Sequence, residues 1–264
     1  MVIVGERINT SRKLVNEAVE KRDVAYIQAD VKAQAEAGAH FIDVNAGSRA
    51  SELADLQWLI GVVEEVVSVR LSLDSSNPET LLAVVGKVRD MPMLNSTTAE
   101  KARFEKMIPV IQSRECDVVA LCMDDRGIPK LPDQVLQNAT RLVNDLEKIG
   151  VKRERIFLDP LIQAVSVDQK AALNSLVAIE RIHRELPGVN TVCGLSNVSF
   201  SLPKRHLVNR TFLTLAMRAG LSGAIVDPLD KKLMGALRAT HMLLGKDPFC
   251  RAYLKAFRAG MLED

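Results

Sequence analysis

The chain has 264 residues, 35 basic and 33 acidic, and so a net charge of +2 on a sequence that is 47% apolar and 26% charged. That balance, with the basic residues scattered, argues against nucleic acid as the main ligand. The most apolar windows, such as 59–67 with Glu64 and Glu65 inside it, fall far short of the ~20 apolar residues of a membrane span.

Short apolar runs recur at 2–5, 40–45, 71–74, 92–95, 118–123, 156–159, 191–194 and 224–227. Between them the periodicity becomes helical, at 25–38, 52–67, 78–87, 99–114, 133–149, 169–185, 207–219 and 231–244, with a terminal helix near 247–258. Strand candidates that are continuously apolar rather than alternating imply burial on both faces, as in a parallel sheet covered by helices. Eight such βα units in ~250 residues is the count of an α/β (β/α)8 TIM barrel. No Pro/Gly/Ser-rich linker or low-complexity segment divides the sequence, so 1–264 reads as one domain. An open doubly wound sheet is the alternative fold. A dinucleotide binder of that kind carries G-x-G-x-x-G after its first strand, and Gly5-Glu6-Arg7-Ile8-Asn9 is not that motif.

Glu6 and Arg7 follow a start of only four apolar residues, which does not read as a secretory leader. The cysteines at 116, 122, 193 and 250 form no C-x-x-C and no disulfide framework, and the histidines at 40, 183, 206 and 241 form no ligand pair. The expectation is a cytoplasmic protein without a metal site of its own. Cys122 reads as a small buried residue, close enough to a strand end for thiol modification to inhibit.

The chemistry lies in what ends each apolar run. Strand one ends in Glu6 and Asn9, two in Asp43 and Asn45, three in Asp74, four in Asn95, five in Asp124, six in Asp159, seven in Ser196 and Asn197, and eight in Asp227. In a parallel barrel these positions share the C-terminal rim, where active sites assemble. Some must serve caps and turns: in Asp74-Ser75-Ser76-Asn77-Pro78, Ser76 and Asn77 are the better helix caps, which leaves Asp74 for the mouth. A mouth rich in Asp and Asn, with few bases beyond Arg7 and Lys204-Arg205, suits a flat heterocycle presenting amino, ring N–H and carbonyl groups side by side, such as a pterin or purine edge. No glycine-rich phosphate cup follows strands seven and eight, so sugar phosphates rank lower.

At these residues the sequence resembles the methyltetrahydrofolate:corrinoid methyltransferases, a pterin-binding barrel family, over nearly the entire chain. The likeness is carried by Gly5-Glu6-Arg7-Ile8-Asn9, Leu73-Asp74-Ser75, Leu94-Asn95-Ser96-Thr97, Gly127-Ile128-Pro129, Leu158-Asp159-Pro160-Leu161-Ile162, Gly194-Leu195-Ser196-Asn197-Val198-Ser199 and Asn209-Arg210-Thr211-Phe212. The resemblance implies that Asp74, Asn95 and Asp159 hold the pterin ring, that Asp43 and Glu6 line the same mouth, and that Asn197 approaches N5 with Gly194, Ser196 and Arg205 nearby. It casts Asn197, Asp159 and Asp74 as catalytic. Phe200-Ser201 departs from the amide side chains expected after the Asn197 turn.

Such an enzyme moves a methyl group between N5 of tetrahydrofolate and the cobalt of a corrinoid, in either direction. The nitrogen is a poor leaving group, so a proton or strong hydrogen bond must reach it as the C–N bond breaks, help worth roughly 10²–10⁴ in rate. Asn197 does not titrate and would steady a proton that arrives through water. Tetrahydrofolate or its methyl form is the substrate, no metal is needed on this chain, and the corrinoid, too large to enter a folate pocket, arrives on a partner protein. A homodimer is implied by the resemblance alone, with 231–258 as a contributor. Two other readings remain. Dihydropteroate synthase shares the barrel but uses a basic loop after strand seven, where this chain has Ser196-Asn197-Val198. The other is a non-catalytic pterin-binding module of a larger corrinoid assembly.

Overall fold

The structure is a computed structural model and describes residues 1–47 and 49–263. The apolar runs become β1 (Val2–Asn9), β2 (Phe41–Asn45), β3 (Arg70–Asp74), β4 (Met93–Thr98), β5 (Asp117–Leu121), β6 (Ile156–Asp159), β7 (Asn190–Thr191) and β8 (Gly223–Val226). They lie side by side in the order β7-β6-β5-β4-β3-β2-β1-β8, every pair parallel. Gly194 bridges Ile225, and the Ile225 N–H donates to the Cys193 carbonyl at 2.9 Å, which closes the ring between β7 and β8. The doubly wound alternative is thereby removed, since an open sheet has two free edges.

The helices are α1 (Lys13–Lys21), α2 (Val24–Ala37), α3 (Glu52–Glu64), α4 (Pro78–Val85), α5 (Lys101–Ser113), α6 (Pro132–Lys148), α7 (Ala171–Glu185), α8 (Arg205–Ala219), α9 (Lys231–Leu243) and α10 (Arg251–Arg258). Helix α1 lies outside the expected set. Its buried face is only Val15, Ala18 and Val19, set among charged residues, too few for a convincing period. It stops where Arg22 turns left-handed, and the Asp23 carboxylate, accepting from the Tyr26 N–H at 3.0 Å, starts α2. Strand β1 runs four residues past its apolar stretch, whereas β7 is reduced to two residues and β5 ends at Leu121.

Side chains two apart in a strand share a face, and this rule organises the barrel interior. Val4, Phe41, Met93, Val119, Phe157 and Val192 form one buried cluster inside the ring. Two residues further along the same strands stand Glu6, Asp43, Asn95, Leu121, Asp159 and Gly194. An apolar layer therefore floors a largely polar one. Below, at the N-terminal end, the Arg70 guanidinium lies 4.3 Å from the centre of the Phe41 ring and bonds the Asp117 carboxylate, while Arg155 approaches Asp117 at 3.8 Å. This ionic plug shuts the bottom, leaving the C-terminal rim as the opening. Outside the ring, buried residues such as Leu56, Leu59, Leu81 and Leu142 seal helices onto strands, each worth about 1.5–3 kcal/mol of burial.

Candidate active site

The register of the sheet assembles the first part of the rim. Asn45 on β2 pairs with Asp74 on β3, which pairs with Asn95 on β4. The Asp43 carboxylate accepts from Ser72 Oγ at 2.6 Å and from Asn95 Nδ2 at 3.4 Å, and Asn45 Nδ2 donates to Asp74 Oδ2 at 2.7 Å. Burial first, then the neighbouring Asp74, pushes the Asp43 carboxyl well above the usual carboxylate range. Asp74 is also raised by burial, but hydrogen bonds from Asn45 and Asp43 pull it back. Both carboxyls thus stand above the usual carboxylate range, and each influences the other's titration.

Glu6 stands beside this network on β1. Burial, with Asp227 adding repulsion, raises its carboxyl to about 7 against the opposing pull of Arg12 and Arg205. The residue before it, Gly5, packs so closely under α2 that a Cβ there would overlap Gln34 Oε1. The residue after it, Arg7, points to the outside and pairs with Asp30 at 2.8 Å and Asp227 at 2.7 Å. Gly5-Glu6-Arg7 is thus a close approach, a mouth carboxyl and an external ion pair in succession.

Asp159 closes β6 and belongs to a different neighbourhood. Burial raises it to about 7, partly offset by the Leu161 N–H, which donates to Oδ1 at 2.7 Å. The buried thiols of Cys122 and Cys193 lie near enough to feel its charge, and burial pushes both well up. Cys122 is therefore a protonated, enclosed thiol, which corrects the expectation that modification there would inhibit.

A single 3-10 turn, Leu195–Ser199, presents Ser196 and the exposed Asn197. Gly194 makes room for it, because a Cβ at that position would sit 3.3 Å from Asn197 Nδ2. Arg205, the first residue of α8, donates Nη2 to the Ser196 carbonyl at 2.7 Å and Nε to Ser199 Oγ at 3.1 Å, so its guanidinium staples the turn. Glu6, Ser196, Arg205, His206, Asn209 and Asp227 help to line a cavity of about 230 Å³.

The structure thus joins Asp43, Asp74 and Asn95 in one hydrogen-bonded network with Glu6 beside it, and sets Glu6, Ser196 and Arg205 around one cavity. Asp159 is held separately at the end of β6. Two polar strand ends are tied up in local structure: Asp124 is locked to Arg126 at 2.7 Å, and Asp227, although it lines the cavity, accepts from the Leu229 N–H at 2.9 Å as well as from Arg7. Asn77 caps α4 by accepting from the Glu79 N–H at 2.9 Å, as its place before Pro78 predicts. Ser72, absent from the sequence-derived set, carries a readable signal: it lies two residues before Asp74 and so faces the same way.

Residues 5–227 match the model of the pterin binding enzyme family. Over 265 aligned residues the chain is 37% identical to a methylcorrinoid:tetrahydrofolate methyltransferase of Eubacterium limosum, covering 99% of this chain and 98% of that one. It is 29% identical over 240 residues to the methionine synthase of Mycobacterium leprae (strain TN), of which that match spans 20%. Among solved structures, a dihydropteroate synthase from Xanthomonas albilineans in complex with 7,8-dihydropteroate superposes with a TM-score of 0.67 at 18% identity, covering 92% of each chain. The 7,8-dihydropteroate synthase from Vibrio fischeri ES114 gives 0.68 at 16% identity and 94% of each. These structural likenesses speak for the barrel alone. The chain belongs to the pterin binding enzyme family, among the methyltetrahydrofolate:corrinoid methyltransferases.

Proposed function

We propose that the chain moves a methyl group between N5 of tetrahydrofolate and the cobalt of a corrinoid carried by a partner protein, with the pterin ring held by Asp74, Asn95 and Asp159. The observation that carries this reading is the polar group of buried Asp43 and half-buried Asp74 and Asn95 set above an apolar floor at the open end of the barrel. Acceptors at that depth call for a partner with several N–H donors in one plane, and a pterin edge provides them. The 37% identical relative is named with the methylcorrinoid as donor, which supports transfer toward tetrahydrofolate here.

The corrinoid's cobalt gives or takes the methyl group when the partner is docked. Residues of this chain do the rest. Asp74, held by Asn45, accepts from the ring and orients it. Glu6 and Asp159, both raised to about 7, hold protons that exchange near neutral pH. Asn197 at the exposed turn steadies the proton on N5, and Gly194, Ser196 and Arg205 fix that turn in place. Ile128, Leu131, Val167 and Phe200 on the loops after β5, β6 and β7 leave apolar side chains exposed at the same rim, Val167 at 80%, which fits a protein that covers the mouth. The exposed Leu243, Phe249 and Phe257 around α9 and α10 fit a second copy of the chain, and the composition fits the cytoplasm. Among the described residues no helix is long and apolar enough to cross a membrane.

The test is to mix the protein with methylcobalamin and tetrahydrofolate, and separately with reduced cobalamin and methyltetrahydrofolate, following the cobalt spectrum. Transfer by the wild type and its loss in Asn95→Ala and Asp159→Ala is expected. Folate binding without turnover would favour a non-catalytic module, and dihydropteroate formation from p-aminobenzoate would favour the synthase.

A further inference from the structure

We infer that Arg103, on the outer helix α5, is a positioning residue that sets the spacing between Asp74 and Asn95; this rests on the reading that those two hold the ring. The Arg103 guanidinium reaches three backbone carbonyls, two in the loop after β3 and one within β4. Nη1 donates to Ser76 O, and Nη2 donates to Ser75 O at 3.3 Å and to Ser96 O at 2.8 Å. Ser75 and Ser76 directly follow Asp74, and Ser96 directly follows Asn95. One rigid fork therefore spans the chain just beyond each of the two ring-holding residues.

The chemistry of the contact is informative. A partly buried cation normally seeks a carboxylate, because desolvation costs less when the charge is paired. Here the three bonds go to neutral carbonyls, and burial lowers the guanidinium's pKa against the opposing pull of the nearby Glu100. Such an arrangement is retained for its geometry: five N–H donors in a plane match several acceptors at once, whereas an ammonium is a point donor. The remaining handles on Ser75 agree. Its N–H donates to the Asn95 carbonyl at 3.0 Å, joining the loop after β3 directly to β4, and its Oγ donates to Glu52 Oε1 at 2.5 Å from the start of α3. Ser75 is thus held at three atoms, and Arg103 extends that grip across β3 and β4. Without the fork, the strand pairing and the Ser75–Asn95 bond remain but the backbone just beyond Asp74 and Asn95 loses its outer tie, and a rigid two-point contact to a flat ring weakens.

The experiment measures tetrahydrofolate affinity of the full chain by calorimetry, well below the unfolding temperature, for wild type, Arg103→Ala, Arg103→Lys, Met107→Ala and Asn95→Ala. Met107 is a fully buried core residue on the same helix and makes none of these hydrogen bonds, so its truncation loosens α5 without removing the fork. Arg103→Ala is expected to weaken binding about tenfold or more, Arg103→Lys to recover part of that loss, and Met107→Ala to stay within about twofold of wild type. Wild-type affinity in Arg103→Ala, with binding lost in Asn95→Ala, overturns the clamp and leaves the ring site standing. Equal losses in Arg103→Ala and Met107→Ala reduce Arg103 to general support of α5 and also overturn it. Wild-type affinity in Asn95→Ala overturns the ring site itself. Should Arg103→Ala fail to fold, Arg103→Lys carries the test: an affinity about threefold weaker supports the clamp, and an unchanged one contradicts it.

Discussion

Asn45 donates its side-chain amide to Asp74 Oδ2 at 2.7 Å from the strand position in register with it. That bond opposes burial, which raises the Asp74 carboxyl, and so favours its ionised form as an acceptor at the mouth. Replacing Asn45 with Leu removes the donor and lets the Asp74 pKa rise further. A ring that donates to Asp74 needs the ionised form. Tetrahydrofolate affinity in Asn45→Leu is therefore expected to fall about tenfold at pH 7 and to recover as pH rises toward 9, measured by calorimetry across that range. A loss that does not change with pH would assign Asn45 to packing.

Asp159 predicts a pH-dependent cost to folding. Its folded pKa, about 7, lies above the ordinary value of 3.8. A raised carboxyl contributes most favourably below the unfolded pKa, and that contribution is lost as pH climbs through the folded one. Asp159→Asn keeps an acceptor for the Leu161 N–H and removes the titration. The variant should be more stable than wild type at pH 8 by roughly 2–4 kcal/mol, with the difference shrinking toward zero near pH 4. Urea unfolding at both pH values checks this; a variant less stable at pH 8 would contradict it.

Gly194 bears on catalysis rather than on folding. Its φ of −71° suits any L residue, so alanine fits the backbone, but the added Cβ would press on Asn197 Nδ2 from 3.3 Å. Gly194→Ala should unfold within a few degrees of wild type while slowing single-turnover methyl transfer about 10- to 100-fold. An unchanged rate would remove Asn197's amide from the reaction.

At Gly5 the expectation is reversed. A methyl group there meets Gln34 Oε1, a buried atom without a hydrogen-bond partner of its own. Gly5→Ala should cost about 1–3 kcal/mol as an overpacked site. Pairing it with Gln34→Ala, which vacates the space, should recover part of that loss, and a double-mutant cycle in urea measures the coupling.

Most of the eight strands were legible because each contains a short apolar run, and the barrel followed from their number; β7, only Asn190 and Thr191, lies at the start of its run. The mouth was legible at Asp43, Asp74 and Asn95 because each ends an apolar run and shares the inward parity of the layer beneath. Parity was not enough elsewhere: Asp227 follows the same rule, yet Arg7 from β1 draws it into an ion pair that no local pattern reveals. Helix α1 escaped notice because three small apolar residues suffice to bury its face. Arg103 and Glu52 were invisible for a different reason. They lie 7 and 23 residues from the carbonyl or hydroxyl they hold, on helices whose outer polar residues look alike in sequence.

The central claim is that side chains from β3, β4 and β6 grip one flat ring across the mouth of the barrel. A crystal structure of the chain with tetrahydrofolate tests it directly. The account predicts the pterin within hydrogen-bond distance of Asp74, Asn95 and Asp159 together, with N5 turned toward Asn197. A ring bound on another face, or touching none of the three, would contradict it.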